Sequence, residues 1–150
     1  MTTVETRNGK LEGTVENGIT VFKGIPYAAP PVGKRRWLPP HPAANWAGVR
    51  PATEFSASAP QNGSPLDKLL GGNAGAISED CLYLNVWTPA ADTKKRPVMV
   101  WIHGGAFVIG SGSQAVYNGG RLAKRGDVVV VTVNYRLGAF GWLAAPGAGA

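Results

Sequence analysis

Apolar residues in this chain gather into short, nearly unbroken runs separated by turn-forming residues. Three runs dominate: Leu82-Tyr83-Leu84-Asn85-Val86-Trp87, Val98-Met99-Val100-Trp101-Ile102, and residues 128–135. All are β-rich and too short for helices, and the last two are continuous enough to predict strands covered on both faces. Residues 2–23 instead predict a three-stranded meander, with Asn8-Gly9 and Asn17-Gly18 supplying residues that tolerate positive φ at its turns. Residues 24–51 carry seven of the twelve prolines. Proline lacks an N–H and fixes φ, so this stretch predicts an extended wrap, with Trp37 and Trp46 as its anchors in a core.

Residues 56–76 read as a long surface loop, residues 91–96 as a turn, and residues 119–125 as a short helix stopped by Gly126. The sequence then fades into small residues at 144–150. No amphipathic helix of about ten residues or more is available to cover the two apolar strands. The pattern is that of half a covered sheet, with apolar faces or edges left open and poor solubility expected.

Composition narrows the classes. Hydrophobic residues are 44% and charged residues 16%, and no apolar stretch approaches the ~18–20 residues of a membrane span, so no membrane partner is expected. The formal charge of +6 comes from clusters such as Lys34-Arg35-Arg36 and Lys94-Lys95-Arg96, each beside a turn. None is interleaved with aromatics, which predicts solvated loop charges and no nucleic-acid partner. The first residues lack the apolar core of a secretory signal, and a single cysteine, Cys81, can form no internal disulfide. Together they predict a cytoplasmic location.

Candidate chemistry sits where the strand at 98–102 ends abruptly in His103-Gly104-Gly105-Ala106-Phe107. Glycines here allow the main chain to point N–H groups at a developing negative charge, the device of an oxyanion hole. An ordinary glycine turn after a strand fits the tetrapeptide equally well. The Gly110-Ser-Gly-Ser-Gln-Ala stretch lacks the third glycine of a dinucleotide loop, and no Gly-Lys-Ser/Thr occurs. His41, His103 and Cys81 make no metal site at usual ligand spacings. Neither metal nor cofactor is expected.

The surroundings of this segment resemble the type B carboxylesterases, the cholinesterase-like branch of the α/β-hydrolases, and most of all the bacterial esterases of that family. The resemblance rests on residues 22–28, 30–33, Trp46, Ser78-Glu79-Asp80-Cys81 with the strand that follows, residues 97–107, and Asn134-Tyr135-Arg136-Leu137-Gly138. It implies an α/β-hydrolase fold, of which residues 1–150 would be an incomplete N-terminal part, a meander plus the first strands of the central sheet. It also implies a serine hydrolase acting on small-molecule carboxylic esters. Gly105 and Ala106 would then supply oxyanion-hole N–H groups, with Gly104 and His103 supporting the loop. Arg36 and Glu79 match positions that pair in a structural salt bridge, and Arg136 matches one whose acidic partner comes later in the family, leaving it unpaired here. Cys81 matches a cysteine that secreted relatives bridge to a residue just before a Pro-Gln pair. That position is Ala59 here, so Cys81 is expected to be a small buried residue.

No serine in the sequence has glycines two positions before and after it. The nucleophile, acid and base of the family all follow the Asn-Tyr-Arg segment, so residues 1–150 are expected to be inactive alone. Ser111 and Ser113 read as loop polar groups, and His41 as exposed. A non-catalytic, cholinesterase-like adhesion protein is the competing reading, and a truncated product without independent function is a third.

Overall fold

The computed structural model describes residues 1–63 and 76–143. The tail at 144–150 and most of the loop expected at 56–76 lie outside the described residues. Among the described residues seven strands form one sheet. They are β1 (Thr2–Thr6), β2 (Gly9–Glu16), β3 (Ile19–Pro26), β4 (Val49–Pro51), β5 (Tyr83–Thr88), β6 (Val98–Ile102) and β7 (Val129–Val133), joined by helices α1 (Gly120–Gly126) and α2 (Gly138–Trp142). The order is β1-β2-β3-β5-β7-β6, with β4 parallel to β2 at the side.

β1, β2 and β3 are the antiparallel meander expected. At its second turn Asn17 (φ 53°) and Gly18 (φ 79°) are both left-handed, the geometry that matches strand twist in a two-residue hairpin. The first turn is shifted by one residue. Thr6 pairs with Gly9, so Arg7 and Asn8 form the loop, and only Gly9 takes a positive φ. The sheet changes character at β7, which runs antiparallel to β5 but parallel to β6. A parallel neighbour needs a crossover, and the segment holding α1 provides it.

Three buried clusters hold the sheet. α1 covers Ile19, Val21, Trp87 and Val130 through Ala123; Leu11, Phe22 and Ala52 pack with Val4, Ile25, Trp46 and Val86; and Ala28, Ala59, Cys81, Leu82 and Leu137 pack with Tyr135.

As the shortage of covering helices predicts, β6 lies open at the edge of the sheet, and each of its residues is between 48% and 67% exposed. Other expectations are corrected here. β7 is flanked by β5 and β6, yet buries Val130 and Thr132 more deeply than their alternating neighbours. Trp37 is not a core anchor. It is 42% exposed, sits at φ 63°, and donates its indole N–H to Ala139 O at 3.0 Å while stacking on Phe140. Trp46 does pack against a buried cluster, with its N–H on Lys10 O at 2.8 Å. Gly126 is the last residue of α1, and the left-handed stop falls on Asp127 (φ 50°), one of the few side chains that tolerate that conformation.

Candidate functional site

The β6 strand delivers His103 to the end of the sheet, where the chain must reverse. Three consecutive residues accomplish this with positive φ: Gly105 (119°), Ala106 (51°) and Phe107 (63°). The Gly105 carbonyl accepts hydrogen bonds from Val108 N–H (3.0 Å) and Ile109 N–H (3.1 Å), closing a tight turn. A Cβ on Gly105 would run into the Ile109 carbonyl, so glycine is required there, whereas one on Gly104 would meet nothing. Among the described residues, neither the Gly105 nor the Ala106 N–H is bound to a protein acceptor.

His103 supports this turn from beneath. It is 3% exposed, its ring stacks on Tyr135 with centroids 4.3 Å apart, and its Nδ1 lies 2.8 Å from Gly104 O. A bond to a carbonyl requires the proton on Nδ1. Burial holds the His103 pKa below its ordinary value, which keeps the ring neutral. Tyr135 Oη donates to His103 O at 2.6 Å, fixing the backbone as well as the ring.

A second set of contacts, invisible in the sequence pattern, clamps the segment after the turn. The Gln61 side chain brackets Gly110: Gly110 N–H donates to Gln61 Oε1 at 2.7 Å, and Gln61 Nε2 donates to Gly110 O at 2.9 Å. Two residues on, Gly112 N–H donates to Asn134 Oδ1 (2.8 Å), and Thr132 Oγ1 donates to Gly112 O (2.7 Å). Asn85 Nδ2 in turn donates to Thr132 Oγ1 (3.0 Å), while Gly24 N–H donates to Asn85 Oδ1. Every member of this buried network finds a partner, the condition under which buried polar groups specify geometry. The available signal was a polar residue inside each apolar strand, Asn85 and Thr132. Gln61 is marked only as part of the Pro60-Gln61 pair in the resemblance, with no sign of this role.

The remaining residues fall into place around this frame. Arg36 grips Glu79 with two hydrogen bonds, Nε to Oε2 (2.6 Å) and Nη2 to Oε1 (2.5 Å), with the Trp37 and Phe140 rings 5.4 and 5.6 Å from its guanidinium. This pins the proline-rich wrap to the segment before β5. Among the described residues Arg136 has no acidic partner, as expected, and its Nη1 donates to Leu38 O at 2.9 Å. Ser111 and Ser113 hydrogen-bond each other at 2.9 Å, and among the described residues neither is hydrogen-bonded to a histidine. Cys81 is a buried free thiol whose pKa is pushed up to about 12, mainly by burial, in one cluster with Ala59. His41 is exposed. Beside the turn, Ile102, Phe107, Tyr135, Arg136 and Trp142 line an open, largely apolar depression of about 400 Å³. Among the described residues no group of three His, Cys, Asp or Glu side chains is placed to hold a metal, and no helix is long and apolar enough to cross a membrane.

Residues 1–149 match the carboxylesterase family. The chain belongs to that family. It is 51% identical over 140 residues to the para-nitrobenzyl esterase of Bacillus subtilis, covering 93% of this chain and 28% of that protein. It is 47% identical to the phenmedipham hydrolase of Pseudarthrobacter oxydans, covering 95% of this chain and 29% of that one. The crystal structure of a Geobacillus stearothermophilus carboxylesterase superposes on 95% of this chain and 28% of its own, with a TM-score of 0.85 at 55% identity. A structure of a para-nitrobenzyl esterase does so with a TM-score of 0.90 at 49% identity. The carboxylesterase sequence therefore spans under a third of the length of these relatives, and its strands and loops are those of the N-terminal portion of an α/β-hydrolase fold.

Proposed function

We propose that the protein carrying this sequence is a serine hydrolase of carboxylic esters, and that residues 103–107 form its oxyanion loop. The observation that carries this reading is the run of positive φ through Gly105, Ala106 and Phe107, with the first two N–H groups unspent on protein acceptors among the described residues. A carbonyl carbon attacked by an alkoxide places negative charge on its oxygen. Two N–H groups already oriented and uncommitted stabilise that charge without reorganising at the moment of reaction, and removing one such donor costs about 3–4 kcal/mol. The rigid stack of His103 on Tyr135 and the Gln61 bracket on Gly110 keep the loop from collapsing onto its own donors.

His103 is a support, not the general base: its Nδ1 proton is committed to Gly104 O and its ring is buried. Ser111 and Ser113 bond each other rather than a histidine, and no serine of the sequence sits in a Gly-x-Ser-x-Gly elbow, so the nucleophile is assigned outside residues 1–150. The apolar depression beside Phe107 suits the hydrocarbon part of a small ester. We also place the protein in a reducing compartment, the cytoplasm, on the strength of the unpaired Cys81 and the alanine at position 59.

The test is hydrolysis of p-nitrophenyl butyrate, with a fluorophosphonate label mapped by mass spectrometry. The whole protein should turn the ester over and carry the label outside residues 1–150, and the 150-residue chain should do neither. A covalent adduct on Ser111 or Ser113 would overturn the assignment. A folded whole protein that neither hydrolyses esters nor takes the label would favour the non-catalytic binding reading.

A further inference from the structure

Four of the eight asparagines in the sequence precede glycine: Asn8, Asn17, Asn62 and Asn118. An asparagine so placed is chemically labile. The next amide nitrogen can attack its side-chain carbonyl carbon, and a glycine has no side chain to obstruct the approach. Closing that five-membered ring needs rotation about the asparagine Cα–C and Cα–Cβ bonds, so a hydrogen-bonded turn or a held amide suppresses it until the segment opens.

The fold restrains three of the four. Asn8 Nδ2 donates to Ala43 O at 3.1 Å and to Asn45 Oδ1 at 3.0 Å, its carbonyl accepts from Trp46 N–H at 2.9 Å, and a Cβ on Gly9 would collide with Trp46. Asn17 and Gly18 are the left-handed pair that closes the β2–β3 hairpin between Glu16 and Ile19, with Asn17 O held by Lys124 Nζ at 3.2 Å. Asn118 Oδ1 accepts from Gly120 N–H at 2.9 Å, its own N–H donates to Ala115 O at 3.2 Å, and Gly119 packs against Val130 and Trp87. Asn62 is different. It and Gly63 are exposed, a Cβ on Gly63 would meet nothing within 4 Å, and among the described residues neither takes part in a hydrogen bond. Directly before this free pair stands Gln61, whose side chain bonds both the N–H and the carbonyl of Gly110 and also donates to Ala59 O at 3.1 Å.

We propose that Asn62 is a site of spontaneous deamidation, selected from the four by the fold, and that its isoaspartyl product releases the Gln61 clamp on Gly110. The Gly63 amide nitrogen, deprotonated by hydroxide, attacks Asn62 Cγ. The Cγ–Nδ2 bond breaks and the side-chain nitrogen leaves as ammonia, which forms a succinimide. Water then opens the ring at Cγ to give aspartate, or at the main-chain carbonyl to give isoaspartate. In isoaspartate the backbone runs through Cβ and is one carbon longer, and a carboxylate stands where the chain leaves Gln61. That redirects the main chain at the residue next to the clamp. The modification is independent of ester hydrolysis and stands or falls without it.

Peptide mapping by mass spectrometry, after incubation of the unsubstituted chain at pH 8, follows all four sites at once. In the folded chain Asn62 should convert at least about tenfold faster than Asn8, Asn17 or Asn118, and urea should bring the four rates together. Gly63→Ala, which the open space around Gly63 admits, should slow conversion of Asn62 at least about tenfold and leave the other three sites unchanged. The isoaspartyl form, separated by ion exchange, should exchange its Gly110 N–H at least about tenfold faster than the unmodified chain. Conversion of another of the four asparagines first, the same ranking in urea, an Asn62 rate that ignores Gly63→Ala, or equal exchange at Gly110 in both forms overturns the proposal.

Discussion

Replacing Gly105 by alanine tests the geometry of the turn more directly than any other change, because its neighbour Gly104 is a built-in control. At φ 119° an L residue is strained, and the new Cβ would collide with the Ile109 carbonyl, a backbone atom that cannot rotate away. Strain of this kind costs about 1–3 kcal/mol. Moving the Ile109 carbonyl also disturbs the bonds from Val108 and Ile109 to Gly105 O, worth about 1 kcal/mol each. The turn should therefore lose about 3–5 kcal/mol against local opening. At about 1.4 kcal/mol per tenfold, that accelerates amide exchange at Val108 and Ile109 by about two to three and a half orders of magnitude, up to the limit set by the native protection.

Gly104→Ala should behave oppositely. Its φ is not positive and its Cβ would meet no atom within 4 Å. The substitution then mainly restricts the unfolded chain, a stabilisation of about 0.4–1 kcal/mol. Exchange read residue by residue by mass spectrometry or NMR separates the two variants. Equal acceleration in both, or unchanged protection at Val108 and Ile109 in Gly105→Ala, would refute the turn geometry and with it the orientation of its donors.

Three further outcomes are expected. With its pKa pushed up to about 12, Cys81 should resist Ellman's reagent through pH 9 and react only on unfolding, whereas Ala59→Cys should form a disulfide with it; closing a loop on the order of 20 residues would stabilise the fold by about 3 kcal/mol, and two free thiols in air-oxidised Ala59→Cys would contradict the packing. Because burial lowers the His103 pKa below the unfolded value, the unfolded chain binds the proton more readily, so stability should be full above pH 6.5 and fall as the pH drops through the His103 pKa; denaturant melts of wild type and His103→Asn at pH 7.5 and 5.5 should show that the variant loses this slope. β6, open at the sheet edge with Val98, Val100 and Ile102 between 58% and 67% exposed, should make the 150-residue chain self-associate in sedimentation velocity, and Val100→Lys should shift it toward monomer.

What could be read in the sequence was local. Asn17-Gly18 states its turn because two adjacent left-handed residues have few alternatives, and the Gly104-Gly105 step states that side chains are unwelcome where the chain reverses. Periodicity placed β5, β6 and β7 within a residue or two, since a run of β-branched and apolar residues has little else to do. Coverage had to be read elsewhere, from the shortage of helices, which predicted the open face of β6. An apolar strand records that both faces are meant to be buried, and Val98-Met99-Val100-Trp101-Ile102 reads the same whether or not anything lies against it. Trp37 misled for a related reason: a large aromatic suggests a core, but its N–H on Ala139 O and its stack with Phe140 satisfy it at the surface.

The support of the turn was the least legible part, and the reason is sequence distance. Gln61 lies 49 positions before Gly110, Asn134 lies 22 after Gly112, and Asn85 lies 61 after Gly24. Each is an ordinary polar residue until the fold brings a backbone N–H to it. A glycine-rich loop without such partners samples many conformations, and its N–H groups point at a substrate only part of the time. Held at Gly110 by Gln61, at Gly112 by Asn134 and Thr132, and beneath by His103 on Tyr135, the same glycines have one arrangement to occupy. The glycines permit the geometry, and distant amides and hydroxyls select it. A loss of function in this region is therefore expected as readily from Gln61 or Asn134 as from the glycines themselves.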